Sequence, residues 1–231
     1  MSFKSRFSYL QSFKLNKTAN VTASVSKLIN SKELITTIDR MLDTESRHFK
    51  SVFGFHPKIK PSSIIEAGRG VYVEGVVENG EIVALYPGLV YTPGEPMFFV
   101  SLNNHYILRC FDGYSIDAKA NGLSGMLYKS HYNRLKIPTP VATTKWMNLD
   151  NTHPLYIGHL INNGISGHTS NVRYQEININ PNHFKNLHLI PNIHGSLDWN
   201  AHQDIRRIVC IVATRKIENE ELFSTYYEKI Q

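Results

Sequence analysis

The order of hydrophobic and polar positions divides the chain near residue 62. Before that point, Leu34, Ile35, Ile38, Met41 and Leu42 recur at the spacing of one helix face, with Ser31 ahead of them as an N-cap. His56-Pro57 closes this helical lead-in, expected over 31–61, because proline disfavours helix at the residue before it. Beyond it come short β-rich runs: Ile64-Ile65, Val71-Tyr72-Val73, Ile82-Val83-Ala84-Leu85, Phe98-Phe99-Val100 and Tyr106-Ile107-Leu108. Turns such as Glu78-Asn79-Gly80 separate them. Residues 118–156 are polar and proline-punctuated and read as an insertion, and the strand pattern resumes over 171–179 and 207–213. The expected class is mainly β with short helices, built of small antiparallel sheets and preceded by an N-terminal helix. Gly68-Arg69-Gly70 runs into strand-like Val71-Tyr72-Val73. A dinucleotide loop needs a helix there to aim its N–H groups at phosphate, so this is no Rossmann fingerprint.

Composition narrows the chemistry. A length of 231 residues and a 42% hydrophobic share allow one sizeable core, and twelve Tyr with eleven Phe suit pleated sheets. The net charge is +6 and the isoelectric point about 9.2, yet no run of five basic residues occurs. Direct binding of nucleic acid is therefore not expected. Cys110 and Cys210 form no C-x-x-C pair and read as reduced, buried thiols of an intracellular protein. His183, His188, His194 and His202 lack ligand spacing, so no metal is expected. No apolar run reaches transmembrane length, and no membrane association is expected. Residues 1–30 are Ser-rich and basic, with Lys4, Arg6, Lys14, Lys17 and Lys27 and no acid. They read as a flexible arm or a mitochondrial transit segment, leaving nucleus, cytoplasm and mitochondrion open.

Four segments carry the candidate chemistry: Gly68-Arg-Gly-Val-Tyr-Val73, Tyr86-Pro-Gly88, His159-Leu-Ile-Asn-Asn163 running to Asn171-Val172, and Glu220-Glu-Leu-Phe-Ser-Thr-Tyr226. Each alone is commonplace: a tight turn, a β-turn, an Asn-rich loop, a core tyrosine. Their joint order is not. It resembles the SET-domain protein-lysine methyltransferases, whose pattern runs G-x-G, Y-x-G, N-H-x-C-x-P-N and E-E-L-x-x-D-Y. Tyr114-Ser-Ile-Asp117 is similar to a further strand of that family, and the likeness covers roughly residues 64–227.

The resemblance implies a SET domain over 62–228 with the insertion at about 118–156 and a C-terminal pseudoknot. It implies S-adenosylmethionine as cofactor, a lysine-bearing protein substrate, and a monomer. Carried over residue by residue, the cofactor falls to Arg69, Gly70, Val71, Asn162, Asn163 and Tyr226. Catalysis falls to Tyr226, with Tyr86 lining the lysine channel. Asn163 replaces the family's His and Thr225 replaces an Asp. The family often has a Cys-rich closing segment, whereas this sequence stops at Gln231. Closure is then expected from 118–156, from the N-terminal helix or from a partner. Asn219 stands where Gly is common, and Asn tolerates positive φ well. The alternatives are a SET-fold binding module with little or no turnover, and a scaffold that binds no cofactor.

Overall fold

Helix α1, Ser31–Asp43, carries Glu33 in its first turn and Arg40 in its last, each suited to the helix dipole, and buries Ile38, Met41 and Leu42. In this computed structural model, residues 31–135, 141–151, 153–164, 167–195 and 206–225 are described. The chain divides into two compact units, Met1–Leu34 and Ile35–Gln231; the second is treated below. Helix α2, Ser46–Phe53, buries Phe49 and ends at Gly54.

The lead-in is helical only to Phe53. Phe55–Pro61 is strand β1, paired antiparallel along its whole length with β2, Arg69–Val77. Its alternating Phe55, Pro57 and Ile59 were obscured by the two prolines, which suit an edge strand. Strand β3, Ile82–Tyr86, and β4, Gly88–Tyr91, follow, each buried throughout.

Two expected strands are absent. Ile64-Ile65 lies in the β1–β2 turn with Ile65 90% exposed, because Ser62 and Ser63 are committed to side-chain bonds described below. Phe98–Ser101 is a short helix, α3, with Ser101 Oγ donating to the Phe98 carbonyl. So short an apolar run cannot distinguish helix from strand by periodicity. Strands β5, Ile107–Arg109, and β6, Ser115–Asp117, form a hairpin.

The stretch read as an insertion contains a full helix, α4, Gly122–Leu135. Its inward residues are Ser124, Gly125, Tyr128 and Leu135, so small and polar groups hide the apolar stripe. The Tyr128 hydroxyl is shared between the carbonyls of Thr143 and Pro191, and Trp146 packs edge-on against its ring at 4.9 Å. Three 3₁₀ turns follow, the longest Pro154–Leu160. Beyond them lie β7, Asn162–Asn163, β8, Val172–Ile179, β9, Asn192–His194, β10, Arg206–Ala213, β11, Ile217–Glu218, and β12, Phe223–Ser224.

The strands form small sheets in the orders β1-β2-β11, β3-β10-β8, β12-β7 and β5-β6-β4-β9. The mainly β class with an N-terminal helix is thus observed. Two pairings, β4 with β9 and β7 with β12, are parallel rather than antiparallel. The eight residues of β10 are all buried and form the centre of the core. No described helix is long and apolar enough to cross a membrane.

Candidate functional site

The last described segment, 220–225, is held from both sides. On one side it lies along β2: the Leu222 amide donates to the Val71 carbonyl at 2.7 Å, and the Val73 amide to the Glu220 carbonyl at 2.9 Å. On the other side β12 pairs with β7, Phe223 opposite Asn162 and Ser224 opposite Asn163. Asn171, 1% exposed, fastens the same segment: its Nδ2 donates to the Glu221 carbonyl at 2.8 Å, and its Oδ1 accepts from the Phe223 amide at 2.8 Å. Asn171→Ala leaves both backbone groups buried and unpaired. The expected cost is about 2–3 kcal/mol in chemical denaturation, and an unchanged midpoint would contradict this clamp.

Glu221 ties three distant pieces of chain together. Its carboxylate accepts from Ser62 Oγ (2.7 Å), the Ser63 amide (2.7 Å), Ser63 Oγ (2.6 Å) and the Tyr72 hydroxyl (3.0 Å). Asn162 Nδ2 approaches it at 3.4 Å and also donates to the Arg69 carbonyl at 3.0 Å and to Ser62 Oγ at 3.1 Å. Burial pushes the Glu221 carboxyl up, but the bonds from Ser63, Ser62 and Tyr72 outweigh it, and its pKa lies below the usual value. Gly70 is the reason this can assemble. A Cβ there would sit 2.0 Å from Glu221 Oε1 and 3.3 Å from Asn162 Nδ2. Asn219 takes the positive φ expected of it, +50°, and its Oδ1 accepts from the Gly75 amide at 2.9 Å.

Beside this junction opens a cavity of about 410 Å³, lined by Gly68, Arg69, Tyr106, Leu149, His159 and Asn162 among others. Its size falls within the range of about 300–1,000 Å³ usual for small-molecule sites. The wall mixes a guanidinium, an amide, an imidazole, a phenol ring and aliphatic carbon. Burial depresses the His159 pKa to about 4, with the Tyr156 backbone pulling the other way, so this imidazole is neutral at pH 7.

The residues expected from sequence are distributed unevenly around this cavity. Arg69 and Asn162 line it, and Gly70 abuts Asn162 directly behind. Val71 is fully buried and offers its carbonyl to Leu222. Asn163 is exposed, and its Oδ1 accepts from Ser224 Oγ at 3.2 Å. Tyr86 is 1% exposed and does not line the cavity; its hydroxyl donates to the carbonyl of Tyr106, which does. Tyr226 lies outside the described residues. Sequence reasoning passed over His159, Tyr106, Ser62 and Ser63. His159 stood inside a quoted motif, whereas nothing local marks Ser62 or Ser63, whose partner lies about 160 positions away.

Two other features are set apart from this cavity. A larger apolar groove of about 690 Å³, lined by Leu89, Tyr91, Phe98, Phe99, Leu123 and His131 among others, includes none of the motif residues. Cys110, Asp112 and Glu176 bring possible ligand atoms within 4.8 Å of one another. Buried Arg207 pairs with both carboxylates, stacks over Tyr114 at 4.6 Å, and takes Asn178 Oδ1 on its Nε at 2.8 Å. Burial, aided by Glu176, pushes the Cys110 thiol up to about 12. Arg207 thus joins both carboxylates in an ion-pair network, and Glu176 also accepts from the Phe111 amide at the β5–β6 turn.

No protein-family model matches the chain. Two curated proteins do, both SET domain-containing protein 9. The Pongo abelii protein is 39% identical over 180 residues, covering 75% of this chain and 64% of its own length. The Homo sapiens protein is 39% identical over 180 residues, covering 75% and 58%. The chain thus spans under two thirds of the length of the relatives it matches. Two solved structures overlap it loosely. A Plasmodium falciparum chain described as a histone methyltransferase gives a TM-score of 0.34 at 13% identity, over 75% of this chain and 98% of that one. CpSET8 from Cryptosporidium gives 0.41 at 15%, over 92% and 83%. Neither overlap is close enough to support a structural argument. The sequence relationship carries further: over the matched 180 residues, this chain is similar to SET domain-containing protein 9 at 39% identity.

Proposed function

We propose that the chain binds S-adenosylmethionine in the 410 Å³ cavity and directs its methyl group to a protein lysine, with the SET domain running over 62–228. One observation carries this reading. Three motifs far apart in sequence, Gly68-Arg-Gly70, the Asn162 loop and the Glu220–Thr225 segment, converge on one junction beside one cavity. The residues present fit the cofactor. Its carboxylate suits Arg69, and its polar atoms suit Asn162 and His159. The pseudoknot implied by the family belongs to this reading, and the strands on either side of 220–225 are its support.

When bound, S-adenosylmethionine supplies an electrophilic sulfonium methyl. The chain's task is then positioning and exclusion of water. A substrate lysine has an unperturbed pKa of about 10.4 and must arrive neutral, which an apolar channel favours. Tyr226 is assigned as the group that orients the amine, following directly on Thr225. Tyr86 acts at one remove, fixing the Tyr106 backbone that walls the cavity, and is a positioning residue.

Label transfer from radiolabelled S-adenosylmethionine to proteins of a cell lysate tests the whole reading. The expected result is label on lysine, reduced at least tenfold in Tyr226→Phe with cofactor affinity retained. Cofactor binding without transfer to any protein would select the binding-module reading, and no binding at all would overturn both.

A further inference from the structure

Tyr106 lines the cavity and is 39% exposed, so a ligand entering the cavity can reach it. Its ring stands edge-on to His159 in the same wall, with 6.0 Å between centroids. The backbone of Tyr106 is held at both ends. Its carbonyl accepts from the Ala118 amide at 2.9 Å and from the Tyr86 hydroxyl at 3.0 Å. Its amide donates to Asn104 Oδ1 at 3.0 Å. That last bond is a common local turn, but the other end of the Asn104 amide reaches further along the chain. Asn104 Nδ2 donates to the Val100 carbonyl at 2.9 Å and to Asp117 Oδ1 at 2.9 Å, and approaches Ser124 Oγ at 3.4 Å. Asp117 is buried, and the same oxygen accepts from the Lys119 amide at 3.0 Å. A carbonyl and a carboxylate only accept, so the Asn104 nitrogen belongs on their side and its oxygen on the Tyr106 side. One half-buried side chain thus ties α3, β6 and α4 to a residue of the cavity wall.

We propose that Tyr106 is a ligand-binding residue of this cavity, its ring packing against the purine of the cofactor, and that Asn104 is the positioning residue that holds it there. The inference deepens the cofactor reading above and rests on it. Arg69 suits the cofactor's carboxylate, and the purine is the part with a flat face to match an aromatic ring. Asn104 itself touches no ligand. Without its side chain, the Tyr106 amide loses its partner and the wall loses its tie to α3 and α4.

Calorimetry with S-adenosylhomocysteine on the full chain tests both parts. Tyr106→Ala is expected to weaken binding about tenfold, as loss of one base–aromatic stack does, and Tyr106→Phe to stay within about twofold. A loss in Phe equal to that in Ala would assign the contact to the hydroxyl and overturn the packing role. Asn104→Ala is expected to weaken binding about fivefold when Tyr106 is present, but less than about twofold when Tyr106 is already Ala. An asparagine that only supports the fold would cost the same in both backgrounds, and that result would overturn the positioning role. If an alanine variant does not fold, NMR of the unaltered chain decides. The Tyr106 ring protons should shift under the purine ring current on saturation, and the Tyr106 amide should exchange slowly with solvent. Full affinity in folded Tyr106→Ala, unmoved ring protons, or a Tyr106 amide exchanging as in an unfolded chain would overturn the proposal while leaving the cofactor reading intact. No binding to the unaltered chain would remove that reading, and this proposal with it.

Discussion

Replacing Gly70 by Ala is expected to lower the melting temperature by about 6–12 °C and to abolish measurable cofactor binding. The added Cβ would lie 2.0 Å from Glu221 Oε1 and 2.8 Å from its Cδ. A long glutamate could normally swing aside, but this one is held by Ser62, two groups of Ser63, and Tyr72. Moving it breaks charge-assisted bonds, each worth about 1.5–3 kcal/mol. Shifting β2 instead would disturb its register with β1 and the bridge from Tyr72 to Glu221. Either route costs about 3 kcal/mol or more. Gly68→Ala is the control. Gly68 has φ +74° but open space where its Cβ would stand, so it should cost only about 1–2 kcal/mol of backbone strain. Equal melting losses in the two variants would show that the Glu221 junction is not what Gly70 protects.

Mild acid should weaken the fold through its buried imidazoles. His153 holds the lead-in to the 3₁₀ turn: Nε2 donates to the Thr44 carbonyl at 2.9 Å, and Nδ1 accepts from the Leu155 amide at 3.2 Å. Burial lowers its pKa to about 4 against the Thr44 bond, with Lys145 and His56 adding to the depression. The folded chain therefore keeps this ring neutral where the unfolded chain protonates it near 6.5. Stability contributed by the neutral ring is complete above pH 6.5 and declines as pH falls toward 4. At pH 5 the loss is about 2 kcal/mol for His153, and His159, shifted in the same sense, adds to it. Glu221, whose pKa is lowered below the usual 4.5, adds its own loss only under more acid conditions. Denaturation curves from pH 7.5 to 4.5 measure this, with His153→Gln expected to flatten the slope. A flat profile, or an NMR titration of His153 near 6.5, would contradict it.

The sequence made the sheets legible where apolar residues are contiguous and deeply buried. Ile82–Tyr86 and Arg206–Ala213 are examples, because β10 is covered on both faces and shows no alternation to misread. It hid β1 behind two prolines and α4 behind Ser124, Gly125 and Tyr128, where the buried face is not an apolar one. The candidate site was legible at Gly70 and Asn162, which lie in short motifs whose residue types are forced by close approach. Asn219 was legible for the same reason, since positive φ selects few side chains. Glu221's partners were not. Ser62 and Ser63 look like loop residues, and only the fold returns the C-terminal segment to them. Tyr86 stood in a quoted motif, and its hydroxyl donates to the Tyr106 carbonyl, a contact that no local spacing marks.

A crystal structure of the chain with S-adenosylhomocysteine tests the central claim most directly. The ligand should lie in the cavity walled by Arg69, Tyr106, His159 and Asn162, with its carboxylate on Arg69. Density for it in the apolar groove beside Phe98 and Leu123, or none at a saturating concentration, would contradict the account.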